Sequence, residues 1–289
     1  MTTVRGCQLA LILAAQSVLL GATMQPLDSF PVAARRRIRG VFTDIDDTLT
    51  TDGKLTAAAY GALERLRAAG FVVVPITGRP AGWCDHIARM WPVDAVVGEN
   101  GAFYFRYDAA AHKLVKRFLV PAEERAANRR RLEGVRDRIL AAVPGAALAS
   151  DQLYREADLA IDFREDVPPL PHEEIDRIVA LFNGAGATAK VSSIHVNGWF
   201  GSYDKLGMTR ILLRERFAVD LDAERDAFVF AGDSPNDSPM FEFFPNAVGV
   251  ANIADFADRL TALPAYVTRS RCGAGFVELA EALIAARAA

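Results

Sequence analysis

The sequence predicts an α/β protein: a doubly wound, Rossmann-like parallel sheet core interrupted by an inserted α+β module. Three observations carry this reading. Short, almost wholly apolar runs alternate with stretches of helical spacing from Ile38 to Val97. That rhythm breaks between Ala102 and Phe200, and it resumes from Asp204 onward. Apolar runs without polar alternation are what strands covered on both faces require. The chain has 289 residues, 51% hydrophobic and 24% charged, which suits a soluble globular protein of about two domains. A disordered, collagen-like or polytopic membrane protein is excluded on composition. Lys plus Arg is 33 against 36 Asp plus Glu, so the net charge of −3 gives no electrostatic case for nucleic acid. The three cysteines, Cys7, Cys84 and Cys272, are odd in number and widely spaced. They read as reduced thiols of a cytoplasmic protein, not as a metal cluster or a disulfide framework.

Residues 1–36 read as an N-terminal extension. Leu9 to Leu20 is mostly apolar, with Arg5 before it and Gly21-Ala22-Thr23 after it. It is too short for a membrane-spanning helix. Three readings stay open: an appendage upstream of a start at Met24, an export signal, or a partner-binding helix. Arg35-Arg36-Arg37 and Arg39 read as a solvated strand entry.

The fold proper starts with a strand over Ile38–Thr43. Asp52-Gly53 signals a tight hairpin turn, and Thr56–Ala69 has helical spacing closed by Gly70. Phe71–Ile76 is a central strand, Pro80 opens a helix, and Val93–Val97 is a third strand. After the third strand, a hairpin spans Ala102–Tyr107 and Leu114–Leu119, and a long Arg- and Glu-rich helix spans Pro121–Ala142. Strands follow near Ala147–Ser150 and Leu159–Phe163, then a helix over His172–Asn183, then strands on either side of Val191–Val196. The core resumes with a helix from Asp204 to Phe217, a strand over Ala227–Ala231, a helix from Pro235, a strand over Ala247–Val250 and a last helix over Gly275–Ala286. The implied segments are 37–118 for the first part of the core, 119–197 for the insertion and 198–289 for the second part.

In open α/β sheets ligands bind beyond the carboxyl ends of the strands. Three such ends carry chemistry here: Asp44, Asp46 and Asp47; Thr77 and Arg79; and Gly232-Asp233-Ser234-Pro235-Asn236-Asp237. Brought together, Asp44, Asp46, Asp233 and Asp237 need a compensating cation. An all-oxygen site of this kind suits Mg²⁺, with Lys205 as the added positive side chain. A carboxylate nucleophile, a second carboxylic acid two residues on, a threonine hydroxyl and a lysine make a phosphoryl-transfer set. Capping of a turn or helix is the competing reading for Asp47 and Asp237.

These motifs resemble the haloacid dehalogenase-like phosphatases, and within them subfamily IIB, which carries a large α/β cap. Asp44-Ile45-Asp46-Asp47-Thr48-Leu49 resembles the first motif, Asp-x-Asp-x-Thr-Leu, and Ile76-Thr77-Gly78-Arg79 the second. Lys205 falls where the family's lysine is expected, and Gly232–Asp237 resembles the fourth motif. Asn100-Gly101-Ala102 resembles a tripeptide common among the capped members. The resemblance covers nearly all of Arg37–Ala289. It implies Asp44 as nucleophile and metal ligand, and Asp46 as general acid and base that also gives a backbone carbonyl to the metal. It implies Thr77 and Lys205 on the phosphoryl group, Asp233 on the metal, and Asp237 as ligand or second acceptor. Asp47 stands where many members have glycine.

The same resemblance makes the inserted module a cap that carries substrate selectivity. His195 and Asn197 alternate with apolar residues and so share one face of a strand, where they can meet sugar hydroxyls. Trp199 is either an apolar platform or a packed core residue. Arg79, Asn100 and Asn236 complete the candidate substrate contacts, with Arg79 alternatively paired to a carboxylate. Arg155 and Lys190 are further anion contacts, while His86, His112, His172 and the Arg125–Arg131 run read as surface. The expected reaction is Mg²⁺-dependent hydrolysis of a small phosphorylated metabolite, a sugar phosphate first. The expected protein is a monomer or homodimer with no membrane partner. The alternatives are a sugar phosphomutase and a catalytically silent binding protein.

Overall fold

The computed structural model of the chain describes residues 24–288. The stretch Leu9–Leu20 therefore lies outside the described residues. Two compact units divide the chain, one built from the part up to Val73 and from Asp222 onward, the other from Val74–Leu221. With strands numbered along the chain, a six-stranded parallel sheet has the order β1 (Gln25–Pro26), β13 (Tyr266–Val267), β12 (Val248–Gly249), β11 (Phe228–Gly232), β2 (Gly40–Thr43), β3 (Val72–Pro75). The doubly wound α/β core expected from the apolar runs is thus the fold observed.

In the first unit the central strands bury every residue, as their unbroken apolar sequences require. Phe42 stacks on Phe228 at 5.3 Å between ring centroids, across the β2–β11 pairing. Helix α2 (Ala57–Ala68) starts at Thr56, whose hydroxyl accepts from Ala59 N–H, and buries Ala59, Ala62, Leu63 and Leu66. Arg65 and Arg67 sit in its last turn, where cations suit the helix dipole. Asp52 and Gly53 both have positive φ, and Thr51 and Lys54 bridge across them. This is the two-residue turn that Asp-Gly signals.

Residues 24–37 pack onto the same unit. Phe30 is fully buried and stacks on Tyr266 at 4.5 Å. The basic run forms the end of a short helix, α1 (Val32–Arg37), and not a strand entry. Arg35 Nε donates to Phe30 O and Arg36 Nε to Ala286 O on the C-terminal helix, α9 (Cys272–Ala288). The cations satisfy backbone carbonyls, which composition alone cannot reveal.

The second unit holds two antiparallel sheets. β4 (Val96–Gly98) pairs with β5 (Phe103–Asp108), and β5 with β6 (Lys113–Phe118). Val97 also makes a parallel bridge to Ile76. The other sheet has the order β7 (Ala147–Leu148), β8 (Leu159–Asp162), β10 (His195–Trp199), β9 (Thr188–Val191). Helices α4 (Ala122–Ala142) and α5 (His172–Gly184) cover it, and Leu132, Ile139, Ile161, Ile178, Phe182 and Val196 form the core between them. The arginines of α4 are more engaged than a solvated face implies. Arg125 lies 3.7 Å from the Phe118 ring centroid, Arg129 bonds Glu156, and Arg131 lies over Phe200.

One reversal in this unit is unusually constrained. Glu99, Asn100 and Gly101 all have positive φ, 44°, 54° and 106°. A Cβ on Gly101 would lie 1.9 Å from Asp204 O, at the start of α6 (Lys205–Phe217). Only glycine lets the backbone pass there. Gly101→Ala is expected to cost at least about 3 kcal/mol, from a backbone clash added to an unfavourable φ. Urea denaturation of the variant against wild type checks this.

Candidate active site

The first unit gathers three carboxylates. β2 and β11 are parallel neighbours, so their carboxyl ends abut, and Asp44 N–H donates to Ala231 O at 2.9 Å. Asp44, Asp233 and Asp237 each place one carboxylate oxygen so that all three lie within 4.8 Å of one another. All three side chains are buried. Burial first, then Asp44, Asp237 and Asp47, push the Asp233 carboxyl well above its ordinary value. Crowded buried carboxylates resist joint ionisation unless a cation joins them, and this donor set is wholly oxygen. The residues present therefore fit a hard divalent cation.

Donors already fix these groups in place. Thr48 Oγ1 donates to Asp233 Oδ1 at 3.0 Å, and Asn252 Nδ2 donates to Asp233 Oδ2 at 3.0 Å. Asn252 Nδ2 also reaches Asp47 O at 2.9 Å, and Asn252 Oδ1 accepts from Cys272 N–H at 2.8 Å. Asp237 Oδ2 accepts from Asp233 N–H, and with Ser234 it closes a capping box over Pro235–Asp237. Asp237 therefore serves as a turn cap and a neighbour of the carboxylate cluster at once. Asn236 Oδ1 accepts from Ser234 Oγ at 2.8 Å. Asp46 is half-buried, just beyond the strand end. Asp47 has φ 57°, the left-handed region that favours glycine. Its backbone is held by Thr50 Oγ1 and by Asn252.

The second unit holds the remaining candidates. Thr77 is fully buried at the end of β3 and accepts from Arg79 N–H through its hydroxyl oxygen at 3.0 Å. Asn100 N–H donates to Thr77 O, and Gly101 touches the backbone where Lys205 begins α6. Thr77, Asn100 and the first turn of α6 are thus joined through the backbone. A Cβ on Gly78 would sit 3.2 Å from Asn100 Nδ2 and 3.4 Å from Asn197 Oδ1, so both carboxamides flank Gly78. Asn100 Nδ2 is buried without a hydrogen-bond partner among the described residues.

Arg79 is paired. Its guanidinium meets Glu165 at 2.5 Å and Asp151 at 3.4 Å, and stacks over Trp83. His195 Nε2 lies 2.9 Å from Glu165 Oε2. Burial raises the Glu165 carboxyl, but the bonds from His195 and Arg79 outweigh it and hold it down at about 2. Asn197 Nδ2 donates to Asp158 Oδ2 at 3.0 Å. Arg155 is bound to Asp151, Asp158 and Gly78 O, which leaves little of it for a free anion. Trp199 is packed on Tyr203 at 5.3 Å, with 1% of its surface exposed. His86 lines a shallow apolar pocket with Trp83, Trp91 and Tyr154.

Sequence reasoning missed Asn252, Glu99, Asp158 and Glu165. Glu99 accepts from the backbone N–H groups of Ala81, Glu156, Ala157 and Asp158. Its only signal was its place directly before Asn100-Gly101 at a strand end. Burial, then Asp158, push Glu99 up to about 8. Between its ordinary value of 4.5 and about 8, the folded protein holds a proton that the unfolded chain releases. Its contribution to stability is full at acid pH and falls as pH rises through that window. Glu99→Gln is expected to lower stability throughout, since its amide nitrogen would face backbone donors, and to flatten this slope. Urea denaturation at about pH 5, about pH 7 and about pH 9 checks the sign.

Comparison with known proteins agrees with this geometry. Residues 41–124 match the family model for the haloacid dehalogenase-like hydrolases. No curated protein matches the sequence. Among solved structures, the 0175 protein of Thermoplasma acidophilum has a TM-score of 0.64 at 18% identity, over 85% of this chain and 98% of its own. The sucrose-phosphatase of Synechocystis, solved with sucrose and phosphate, has a TM-score of 0.59 at 17% identity, over 86% and 98%. A trehalose-6-phosphate phosphatase related protein has a TM-score of 0.57 at 14% identity, over 85% and 96%. At these identities the structural likeness establishes the fold alone, and residues 41–124 are similar to the haloacid dehalogenase-like hydrolases.

Proposed function

We propose that the protein is a Mg²⁺-dependent phosphomonoesterase acting through an aspartyl phosphate on a small phosphorylated metabolite, a sugar phosphate first. The observation that carries this is the buried oxygen-only cluster of Asp44, Asp233 and Asp237 at adjacent parallel strand ends. The cation supplies charge shielding between the Asp44 carboxylate and an anionic phosphate. Asp44 attacks phosphorus while Asp46, entering as the acid, gives its proton to the leaving alkoxide. Asp46 then takes a proton from water as water attacks the phosphoaspartate, which releases phosphate and restores Asp44. Thr77 and Lys205 hold phosphoryl oxygens.

Residues 119–197 act in this reading as the cap that selects the leaving group. Asn100 and Asn197, beside Gly78, offer neutral donors and acceptors suited to hydroxyls, and His195 with Glu165 is a further polar pair. Arg79 enters as a partner of Glu165, and Asn236 as a further substrate contact. The phosphatase names of two fold neighbours support the substrate class. No helix among the described residues is long and apolar enough to cross a membrane. The free thiols of Cys84 and Cys272 fit a reducing compartment such as the cytoplasm.

Phosphate release from a panel of sugar phosphates with Mg²⁺ tests the proposal. Asp44→Asn is expected to lower turnover by at least about a thousandfold with the fold retained; near-normal turnover would sink the nucleophile assignment. Chelation of divalent cations is expected to stop the reaction reversibly, and full activity in chelator would remove the metal from the scheme.

A further inference from the structure

Arg155 is bound on every nitrogen of its guanidinium, and one of its bonds reaches the second motif. Its Nε and Nη2 donate to the two oxygens of Asp151 at 2.9 and 3.1 Å. Its Nη1 donates to Asp158 at 3.0 Å and to the Gly78 carbonyl at 2.8 Å. The side chain is fully buried. Asp158 is itself held by Asn197, and Asp151 also meets Arg79. A buried guanidinium in a fixed fork is a rigid donor, because every movement breaks several charge-assisted bonds together.

The Gly78–Arg79 peptide is therefore gripped at both ends. Its carbonyl accepts from Arg155, and its N–H donates to Thr77 Oγ1 at 3.0 Å. With one lone pair of Oγ1 taken by that N–H, the Thr77 hydroxyl proton turns away from it, and the donor directions left open are fewer. A donor aimed in advance is what phosphoryl-oxygen binding requires.

We infer that Arg155 is a positioning residue for Thr77: it locks the Gly78–Arg79 peptide, and that peptide orients the Thr77 hydroxyl toward the phosphoryl group. The inference rests on the phosphatase reading. Lysine in place of Arg155 keeps the charge but cannot span Asp151, Asp158 and Gly78 O together.

The test is a double-mutant cycle of Arg155→Lys and Thr77→Val, read as kcat/KM for the best sugar phosphate and as inhibition by inorganic phosphate. Arg155→Lys alone is expected to lower kcat/KM roughly tenfold to a hundredfold and to weaken phosphate inhibition in parallel. In the Thr77→Val background the same change is expected to have less than about a twofold effect, because its route to the substrate is gone. An equal effect in both backgrounds overturns the assignment and leaves a purely structural role, as does an Arg155→Lys enzyme within about twofold of wild type. If Arg155→Lys fails to fold by thermal unfolding, the neutral pair Arg155→Gln with Asp158→Asn takes its place in the cycle. Wild-type protein that neither turns over nor binds phosphate overturns the phosphatase reading and this inference with it.

Discussion

Carboxylates removed from water must be matched by donors or cations, and that requirement organises both units of the chain. In the first unit, Asp44, Asp233 and Asp237 converge because two parallel strands end side by side. Hydroxyl, carboxamide and backbone donors from Thr48, Asn252 and the Asp233–Ser234 turn cover part of their demand. The part left over is a concentration of negative charge that matches a hard cation. In the second unit, Glu99, Asp151, Asp158 and Glu165 find internal partners instead, in Arg79, Arg155 and a row of backbone N–H groups.

The two solutions have different consequences. A cluster completed by a small ion is exchangeable, and its charge is set by what is bound. A cluster completed by guanidinium groups is permanent, and it spreads rigidity through every segment it touches. The loop 151–158, the strand end at Gly98, the second motif and β10 are joined by one such network. Backbone geometry at the Gly78–Arg79 peptide is then set by residues far away in sequence.

The convergence of Asp44, Asp233 and Asp237 was legible because the motifs are contiguous: Asp44-Ile45-Asp46-Asp47 and Gly232–Asp237 carry their signal in a few adjacent letters. The core strands were legible because unbroken apolar runs such as Phe71–Ile76 have few other uses. What sequence hides are partnerships between distant residues. Asn252 is separated from Asp233 by 19 positions and Arg79 from Glu165 by 86, and nothing in either neighbourhood marks the pairing. The two-residue strands at Gln25 and Tyr266 are too short to show alternation, and Arg35–Arg37 reads as solvated charge until the carbonyls it meets are known. Arg155 offered itself as an anion contact, and Arg79 as either that or a carboxylate's partner, because the identity of an arginine's partner is invisible in one dimension.

The left-handed backbone at Asp47 restricts what this position can become in evolution. Glycine, asparagine and aspartate share that conformation, and the aspartate codons lie one nucleotide from codons for each of the other two. Neutral drift at this site therefore moves within a small, connected set, and passing out of it to a branched residue means leaving the backbone as it stands.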